Sequence, residues 1–424
     1  MTETLLEKER ALIVGVNVNQ DPYFEASIEE LKNLALACGI EPVTQVTQNL
    51  PRPHVAHYVG TGKLEEIRQL VDAEEIDVLI FEDELTPSQI RNLSKILDIE
   101  VLDRTRLILD IFASRAKTKE AKMQVEIARL RYALPRLRSS NQNFGHQRGG
   151  GVKNRGAGET KLELKRRKVE EKITELESGL KNIALTRQTQ RKKRLISNTP
   201  RVALVGYTNA GKSTLMNAMV RRYQDDSDKL VFEQDMLFAT LDTSVRNITF
   251  ENGKSVLLSD TVGFINKLPH HLVKAFHSTL EEVREADLLL HVIDASNPHY
   301  LQQLAVTNDT LAFIEANEIP QLYVYNKIDE MAEEFAPTGE NFVKLSAKKQ
   351  LGFEDLIPCI SDLLFSGDIL CQILVPFDKG QVISELKAAG SITEIHYLDT
   401  GTLLHVSLNK TQMGQYKDLI IPLS

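Results

Sequence analysis

Apolar and polar positions change their spacing several times along the chain, and each change marks a segment of different structure. Between residues 10 and 102, short apolar runs such as Ala11 to Val18 alternate with stretches such as Phe24 to Cys38, whose apolar residues recur every three or four positions. Short runs are typical of buried strands, and the longer spacing is typical of amphipathic helices. We therefore expect a small α/β layer with a parallel sheet, in which Thr86 caps a helix over Pro87 to Leu97.

A purely helical spacing follows this α/β layer. Apolar residues from Leu107 to Tyr132 fall near one face and predict a long helix over 106–134, which Pro135 ends. A second long helix is expected from about Gly158 to beyond Leu185. The connection between them, residues 139–158, is rich in glycine and polar residues, so we expect a mobile tip on an antiparallel helical hairpin.

The alternation of strand and helix patterns returns after residue 199 and continues to about 367. A small α/β appendage without recognisable chemistry is expected in the remaining residues. The predicted domains are 1–105, 106–198, 199–367 and 368–424. The strands expected in the third domain are Val202 to Val205, Val245 to Phe250, Ser255 to Ser259, Leu288 to Ile293, Gln321 to Tyr325 and Phe342 to Lys344.

A phosphate-binding loop is predicted at the start of the third domain, where a short apolar strand meets a helix. The segment fits G-x-x-x-x-G-K-S, in which backbone N–H groups, a lysine and a hydroxyl that binds Mg²⁺ converge on a polyphosphate. Its residues are Gly206, Tyr207, Thr208, Asn209, Ala210, Gly211, Lys212 and Ser213. The helix that starts here adds its positive N-terminal end to the site.

Two later motifs extend this site to the γ-phosphate and the base. Asp260-Thr261-Val262-Gly263 follows an apolar strand, where the carboxylate can hold a Mg²⁺-bound water and the Gly263 amide can meet the γ-phosphate. Asn326-Lys327-Ile328-Asp329 ends another strand, and a carboxylate at Asp329 matches the two donors of guanine but would stay unpaired against adenine. Ser346-Ala347-Lys348 completes the base pocket, so the expected ligands are GTP and GDP.

A second protein ligand for Mg²⁺ is expected between the phosphate loop and Asp260. The segment Phe238-Ala239-Thr240-Leu241-Asp242 offers the Thr240 hydroxyl on a loop that the γ-phosphate could order. Thr243 and Ser244 are competing choices, and residue type and spacing leave all three open.

Charge changes the interpretation of the helical segment. The chain of 424 residues has a net charge of −8, yet residues 111–200 hold 23 Lys and Arg against 8 Asp and Glu. Clusters at Lys165 to Lys168 and Arg191 to Arg194 favour contact with nucleic-acid phosphates over the alternative of solvated helix faces. No apolar run approaches the ~20 residues that cross a bilayer. Cys38, Cys359 and Cys371 are far apart, so we expect no disulfide framework or zinc site and a cytoplasmic location.

These motifs together resemble the HflX family of TRAFAC-class GTPases. GYTNAGKS, FATLD, DTVGF, NKID and SAK occur in order, after the linker GGGVKNRGAGETKLE at Gly149 to Glu163, so the resemblance covers nearly the whole chain. It implies hydrolysis of GTP to GDP and phosphate, with Mg²⁺ bound through Ser213 and Thr240. It also implies association with the large (50S) ribosomal subunit and its rRNA, and splitting or rescue of stalled ribosomes under stress. We expect the chain to act as a monomer.

One departure from many GTPases affects the expected rate. Phe264 stands directly after D-x-x-G, where many GTPases have a glutamine that orients the attacking water. We therefore expect slow intrinsic hydrolysis, in which Lys212, Thr240 and the Gly263 amide act at the phosphates and the ribosome completes water positioning. The alternative hypothesis is a GTP-dependent switch or scaffold that binds another RNA or a protein. An ATP-dependent nucleic-acid motor is disfavoured by NKID.

Overall fold

The structure is a computed structural model. It describes residues 8–139, 155–194, 199–223, 237–238, 241, 243–250, 253–269, 277–331, 337, 341–388, 392–408 and 410–421. The chain forms two compact units, and each unit combines segments that are not consecutive in the sequence. The first contains the described residues of Met1–Ile183, Met236–Leu241 and Asn266–His277, and the second contains those of Ala184–Asp235, Asp242–Ile265 and Ser278–Ser424. The four sequence domains stay a prediction.

The first unit begins with the expected parallel α/β layer. Its sheet has the order β2-β1-β3-β4, and each neighbouring pair is parallel. Leu12, Val14 and Phe81 lie in its core, and Thr86 forms a capping box with Gln89. The elements are β1 (Arg10–Val18), α1 (Phe24–Ala37), β2 (Glu41–Leu50), α2 (Thr61–Ala73), β3 (Val78–Phe81), α3 (Pro87–Leu97) and β4 (Glu100–Asp103).

The helical segment differs from the expected hairpin at two points. The single helix over 106–134 is in fact two, α4 (Arg104–Arg115) and α5 (Lys119–Ser139), because Ala116 is extended and the Thr118 hydroxyl accepts a hydrogen bond from the Ala121 amide. The expectation that Pro135 ends the helix is also wrong, since α5 continues to Ser139.

Contacts with the sheet explain why α5 continues past its proline. The Arg136 guanidinium lies 3.3 Å from the Tyr132 ring centroid, and it donates hydrogen bonds to the Leu85 carbonyl oxygen and the Asp103 carboxylate. These contacts hold the last turn of α5 against the first unit's sheet, where intrinsic helix propensity alone favours an end.

The second long helix, α6, runs from Arg155 to Arg194. It contacts α5 through an ion pair between Arg131 and Glu177, whose N–O distance is 2.6 Å. The glycine-rich tip falls largely within 140–154, outside the described residues.

Two short segments from later in the sequence belong to the first unit. The Phe238 ring packs edge-on against Phe112, with ring centroids 4.6 Å apart. The Lys267 ammonium lies 2.6 Å from both Glu82 carboxylate oxygens and 2.6 Å from one Asp83 oxygen. Glu82 and Asp83 directly follow β3. In the sheet order β2-β1-β3-β4, the chain continues from β1 to β2 on one side and from β3 to β4 on the other, so the strand order reverses between β1 and β3. Lys267 therefore lies at the switch point where α/β sheets commonly bind ligands.

The second unit contains a six-stranded sheet of order β10-β9-β8-β5-β7-β6. All neighbours are parallel except β6, which pairs antiparallel with β7. The strands expected from the sequence are confirmed to within two residues. The elements are β5 (Arg201–Gly206), α7 (Lys212–Tyr223), β6 (Ser244–Thr249), β7 (Ser255–Asp260), α8 (His277–Arg284), β8 (Leu288–Asp294), α9 (Tyr300–Phe313), β9 (Gln321–Asn326), β10 (Phe342–Lys344) and α10 (Phe353–Phe365).

The last part of the second unit is the small α/β appendage. Its sheet has the order β12-β13-β11-β14 and is antiparallel throughout. Ile373, Leu404 and Val406 form its core. The elements are β11 (Ile369–Val375), α11 (Gly380–Ala388), β12 (Ile392–Leu398), β13 (Gly401–Leu408), α12 (Lys410–Gln415) and β14 (Ile420–Ile421). Among all the described helices, none has both the length and the apolar character needed to cross a membrane.

Candidate functional site

The predicted phosphate loop lies between β5 and α7, at the carboxyl edge of the second unit's sheet. Two glycines adopt the positive φ angles that its shape requires, +146° at Gly206 and +92° at Gly211. A Cβ at Gly206 would collide with the Val292 carbonyl oxygen, and one at Gly211 would collide with the Asn326 side-chain amide. The loop therefore fits closely against β8 and β9, and only glycine fits at these two positions.

Lys212 opens α7 with its side chain turned into the loop. Only 6% of the residue is exposed, and its ammonium donates hydrogen bonds to the carbonyl oxygens of Gly206 at 3.0 Å and Tyr207 at 2.7 Å. Burial lowers the pKa of Lys212 to about 8, although the Asp260 carboxylate acts in the opposite direction. A phosphate beside this amine would favour its charged form.

Ser213 and Asp260 bring the expected metal-binding groups together. Asp260 ends β7 and is fully buried, and its carboxylate accepts a hydrogen bond of 2.7 Å from the Ser213 hydroxyl. A hydroxyl and a carboxylate are hard oxygen donors, the ligand type that Mg²⁺ prefers. The residues present at this point therefore fit a magnesium ion.

The D-x-x-G segment is bound to the phosphate loop by its backbone. The Thr208 amide donates to the Phe264 carbonyl oxygen at 2.7 Å, and the Phe264 amide donates to the Gly206 carbonyl oxygen at 3.1 Å. Gly263 lies so close to the Thr208 backbone that a Cβ there would have no room. The Phe264 ring is buried, with 2% of the residue exposed, so this side chain offers nothing to a water molecule.

Asn326 joins three of the motifs. Its side-chain amide donates to the Ala210 carbonyl oxygen at 3.0 Å, and its side-chain oxygen accepts from the Ala347 amide at 2.9 Å. Asn326 is buried at the end of β9. The NKID segment, the phosphate loop and the SAK segment are therefore held in one hydrogen-bonded arrangement.

Lys327 and Asp329 lie on the same turn beyond β9. Lys327 has a φ of +62°, and its ammonium donates to the Asp294 carboxylate at 2.7 Å. A hydrogen bond from Ser346 lowers the pKa of Asp329, and burial opposes this effect. Lys349 adds an ion pair at 3.3 Å. Asp329 is therefore a carboxylate at neutral pH, able to accept hydrogen bonds from a base.

Part of the predicted site lies outside the described residues. Ala239, Thr240 and Asp242 are among these, so the choice of Thr240 over Thr243 or Ser244 stays a prediction. Phe238 and Leu241 are described, and both are buried. The described residues also include Ile328, Thr261, Val262 and Lys348, whose roles stay a prediction. The Thr261 hydroxyl donates to the Leu204 carbonyl oxygen at 2.6 Å.

Two residues near this site were not predicted from the sequence. Asp294 ends β8 and pairs with Lys327, and its position after an apolar strand was a usable signal. His291 lies within β8 and is buried. Burial lowers the pKa of His291 to about 4, the nearby Lys212 charge adds to this effect, and a hydrogen bond with Gln321 opposes it. A single histidine within the apolar run LLLHVID gives little sign of such burial.

The cationic clusters on α6 are only partly available to a polyanion. Arg166 pairs with Glu170 at 2.8 Å, and Arg167 pairs with Glu171 at 2.9 Å, both one helical turn apart. Lys165 and Lys168, on the same stretch of helix, are exposed. The side chains of Arg191 to Arg194 lie outside the described residues.

Three family profiles match consecutive parts of the chain. Residues 25–113 match "GTP-binding GTPase N-terminal", residues 115–194 match "GTP-binding GTPase Middle Region", and residues 201–327 match "50S ribosome-binding GTPase". Among solved structures, a GTP-binding protein from Sulfolobus solfataricus in complex with GDP is 27% identical, with a TM-score of 0.44 over 85% of this chain and 99% of that chain.

Individual relatives extend the likeness to nearly the whole chain. The GTPase HflX of Caldanaerobacter subterraneus is 43% identical over 95% of this chain and 91% of its own length. The GTPase HflX of Escherichia coli is 40% identical over 89% of this chain and 88% of its own length. Identity at this level, over more of the chain than the profiles match, shows the family. The hydrogen-bonded arrangement of the nucleotide-binding motifs agrees with this family. The chain therefore belongs to the HflX family of GTPases and hydrolyses GTP.

Proposed function

We propose that GTP binds along the carboxyl edge of the second unit's sheet, between Lys212 and Asp329. The loop from Gly206 to Ser213 surrounds the phosphates, and the Lys212 ammonium exchanges its carbonyl partners for the β- and γ-phosphate oxygens. The Gly263 amide faces the γ-phosphate. The close contact of Gly263 with Thr208 supports this role, because it keeps the two segments at a fixed separation.

Guanine recognition is assigned to Asp329. Its carboxylate accepts hydrogen bonds from N1–H and the exocyclic amine of guanine, and adenine lacks this pair of donors. The residues that support the pocket are Asn326, Lys327, Ser346 and Ala347, of which Asn326 bonds both the loop and Ala347.

Ser213 would bind Mg²⁺ directly and Asp260 would hold a Mg²⁺-bound water, with Thr240 as the proposed second protein ligand. The chemistry that Mg²⁺ supplies is neutralisation of charge on the transferring phosphoryl group. Lys212 and the backbone amides of the loop stabilise the same charge from the protein side. The buried Phe264 ring leaves water positioning to the partner, so ribosome binding would accelerate hydrolysis.

We further propose that the protein associates as a monomer with the large ribosomal subunit in the cytoplasm, and that it splits or rescues stalled ribosomes under stress. The observation that carries this proposal is the segregated charge of residues 111–200, with 23 basic against 8 acidic residues, in a chain with a net charge of −8. Exposed Lys165 and Lys168 provide described positions for rRNA phosphate contacts. The profile match named "50S ribosome-binding GTPase" supports the choice of partner.

Co-sedimentation with purified large subunits tests this proposal. The wild-type chain, loaded with GTP, GDP or a non-hydrolysable GTP analogue, is compared with a variant carrying Lys165→Glu and Lys168→Glu and with a deletion of residues 149–163. We expect the analogue-bound wild type to bind most tightly. The double substitution should make the slope of log K against log salt concentration shallower by about 1.5, because each lost phosphate contact contributes about 0.7 to 0.9 to that slope.

The matched control carries Arg68→Glu and Lys95→Glu, the same charge change at exposed positions on α2 and α3. It should bind subunits like the wild type. Equal loss in both double variants would point to net charge alone. Subunit binding that is equal with GTP, GDP and the analogue would favour the alternative hypothesis, a scaffold for another RNA or a protein.

A further inference from the structure

The outer face of the appendage sheet carries a cluster of two histidines and a glutamate. Glu394 on β12 lies directly opposite His405 on β13, and His396 follows Glu394 two residues along the same strand. The neighbouring residues Leu404 and Val406 point into the core, so His405 projects from the opposite face. The three side chains are accessible to solvent, with 60% of Glu394, 54% of His396 and 33% of His405 exposed.

The distances within this cluster match those between the ligands of a tetrahedral metal ion. His396 Nε2 lies 3.4 Å and His405 Nδ1 lies 3.5 Å from the same Glu394 oxygen, Oε2. Zinc–ligand bonds of about 2.0 to 2.1 Å place tetrahedral ligands about 3.4 Å apart. The three ligand atoms lie within 4.8 Å of one another. A small rotation of the exposed His396 ring would close the remaining edge.

A neighbouring strand orients one of these ligands. Gln372 on β11 pairs directly with His405 in the sheet, and its side-chain amide lies 3.0 Å from His405 Nε2. When this amide offers its oxygen to an Nε2–H group, the lone pair of Nδ1 is directed toward Glu394. Metal-binding histidines commonly have such a partner on the other ring nitrogen, because it fixes the tautomer and the ring orientation.

We propose that Glu394, His396 and His405 bind one divalent transition-metal ion of the zinc type. Two imidazoles and a carboxylate suit zinc and its neighbours, whereas the Ser213 and Asp260 oxygens suit magnesium. Three protein ligands leave one coordination position for water or for a group on a partner. The ion would join β12, at the edge of the sheet, to the central strand β13. This site is independent of the nucleotide and of the ribosome.

Zinc titration of the full chain against a chromophoric chelator tests the proposal, with GDP and Mg²⁺ held constant. We expect one competing site per wild-type chain. His396→Ala and His405→Ala should each weaken zinc binding by at least about tenfold, and Gln372→Leu should weaken it less. His54→Ala, which removes an exposed histidine in the first unit, should change nothing. Unaltered GDP affinity in each variant will show that the nucleotide-binding part of the chain remains folded.

Hydrogen exchange of the β12 amides provides a second measurement. Zinc should slow this exchange in the wild type and leave it unchanged in a variant carrying both His396→Ala and His405→Ala. Cobalt should give the intense d–d absorption of a four-coordinate ion in the wild type alone. Equal zinc stoichiometry and affinity in the wild type and the double variant would overturn the proposal. A wild-type chain that takes no zinc from the chelator would overturn it too.

Discussion

Asp329 is the side chain on which base choice depends. Replacing it by Asn substitutes an N–H donor for one carboxylate oxygen, so one guanine donor would face another donor. We expect Asp329→Asn to weaken GTP binding by about a hundredfold or more, since hydrogen bonds to charged groups contribute about 1.5 to 3 kcal/mol each. Titration with fluorescent GTP and ATP analogues measures the change.

The neighbouring Lys349 provides the control for this experiment. Its ammonium contacts Asp329, but 59% of the side chain is exposed, so Lys349→Ala should change GTP affinity only slightly. If Asp329→Asn weakened ATP and GTP binding equally, the assignment of Asp329 to guanine would be wrong.

His291 gives the second unit a defined sensitivity to acid. Its folded-state pKa of about 4 lies below the ordinary value of 6.5, so the unfolded chain takes up a proton first. The contribution of His291 to stability is therefore complete above pH 6.5 and is lost as the pH falls toward 4. The full loss is about 3 kcal/mol, at about 1.4 kcal/mol per pKa unit.

Urea unfolding of the wild type and of His291→Leu across this pH range measures the effect. Taking the difference between the two chains removes the contributions of carboxylates that titrate in the same range. The difference in the free energy of unfolding should change with pH in favour of the leucine variant as the solution becomes more acidic. A constant difference would contradict the burial of a neutral imidazole.

Site residues and overall architecture differed in how far the sequence could predict them. Gly206, Gly211 and Lys212 were predictable because each has a backbone or charge requirement that few residue types meet. The break at Thr118 was marked by an ordinary capping residue, but the apolar spacing from Leu107 to Tyr132 concealed it. Continuation past Pro135 depends on Arg136 contacts with distant residues, which local patterns do not contain.

The strand ends were predictable for a different reason. Short apolar runs followed by polar residues mark where parallel strands reach one edge of a sheet, and the described motifs lie there. The Glu394, His396 and His405 cluster gave no such signal. It depends on the pairing of β12 with β13 and on a register irregularity between Ile392 and Glu394.

The ion pair of Lys267 with Glu82 and Asp83 ties a segment just beyond D-x-x-G to the end of β3. Burial acts to lower the pKa of Lys267, but the two carboxylates outweigh it and raise this pKa. Lys267→Met leaves the buried Glu82 charge without its cation, which should lower the stability of the first unit by about 2 kcal/mol.

A double-mutant cycle isolates this interaction. Glu82→Gln should recover part of the loss caused by Lys267→Met, giving a coupling energy of about 1 to 2 kcal/mol in thermal or urea unfolding. Lys95→Met, an exposed lysine on α3, serves as the matched control and should change stability very little. Strict additivity of Lys267→Met and Glu82→Gln would contradict the ion pair.

Hydrolysis by this chain should depend on the proposed ribosomal partner. Phe264 is buried and cannot orient water, so we expect a low GTPase rate alone and an increase of about tenfold or more with saturating large subunits. Phosphate release at saturating GTP measures both rates. Lys212→Ala should abolish the stimulated rate while leaving the basic helices unchanged, and a wild-type rate that subunits do not alter would contradict the mechanism.

The contact of Lys267 with Glu82 and Asp83 also limits which chimaeric proteins can be built from this chain. A chimaera that takes its first hundred residues from another source must keep acids at these two positions opposite a cation at 267. If either sign were reversed, two like charges would be forced together at the end of β3. Grafted proteins of this kind should be made by exchanging the three residues as a set.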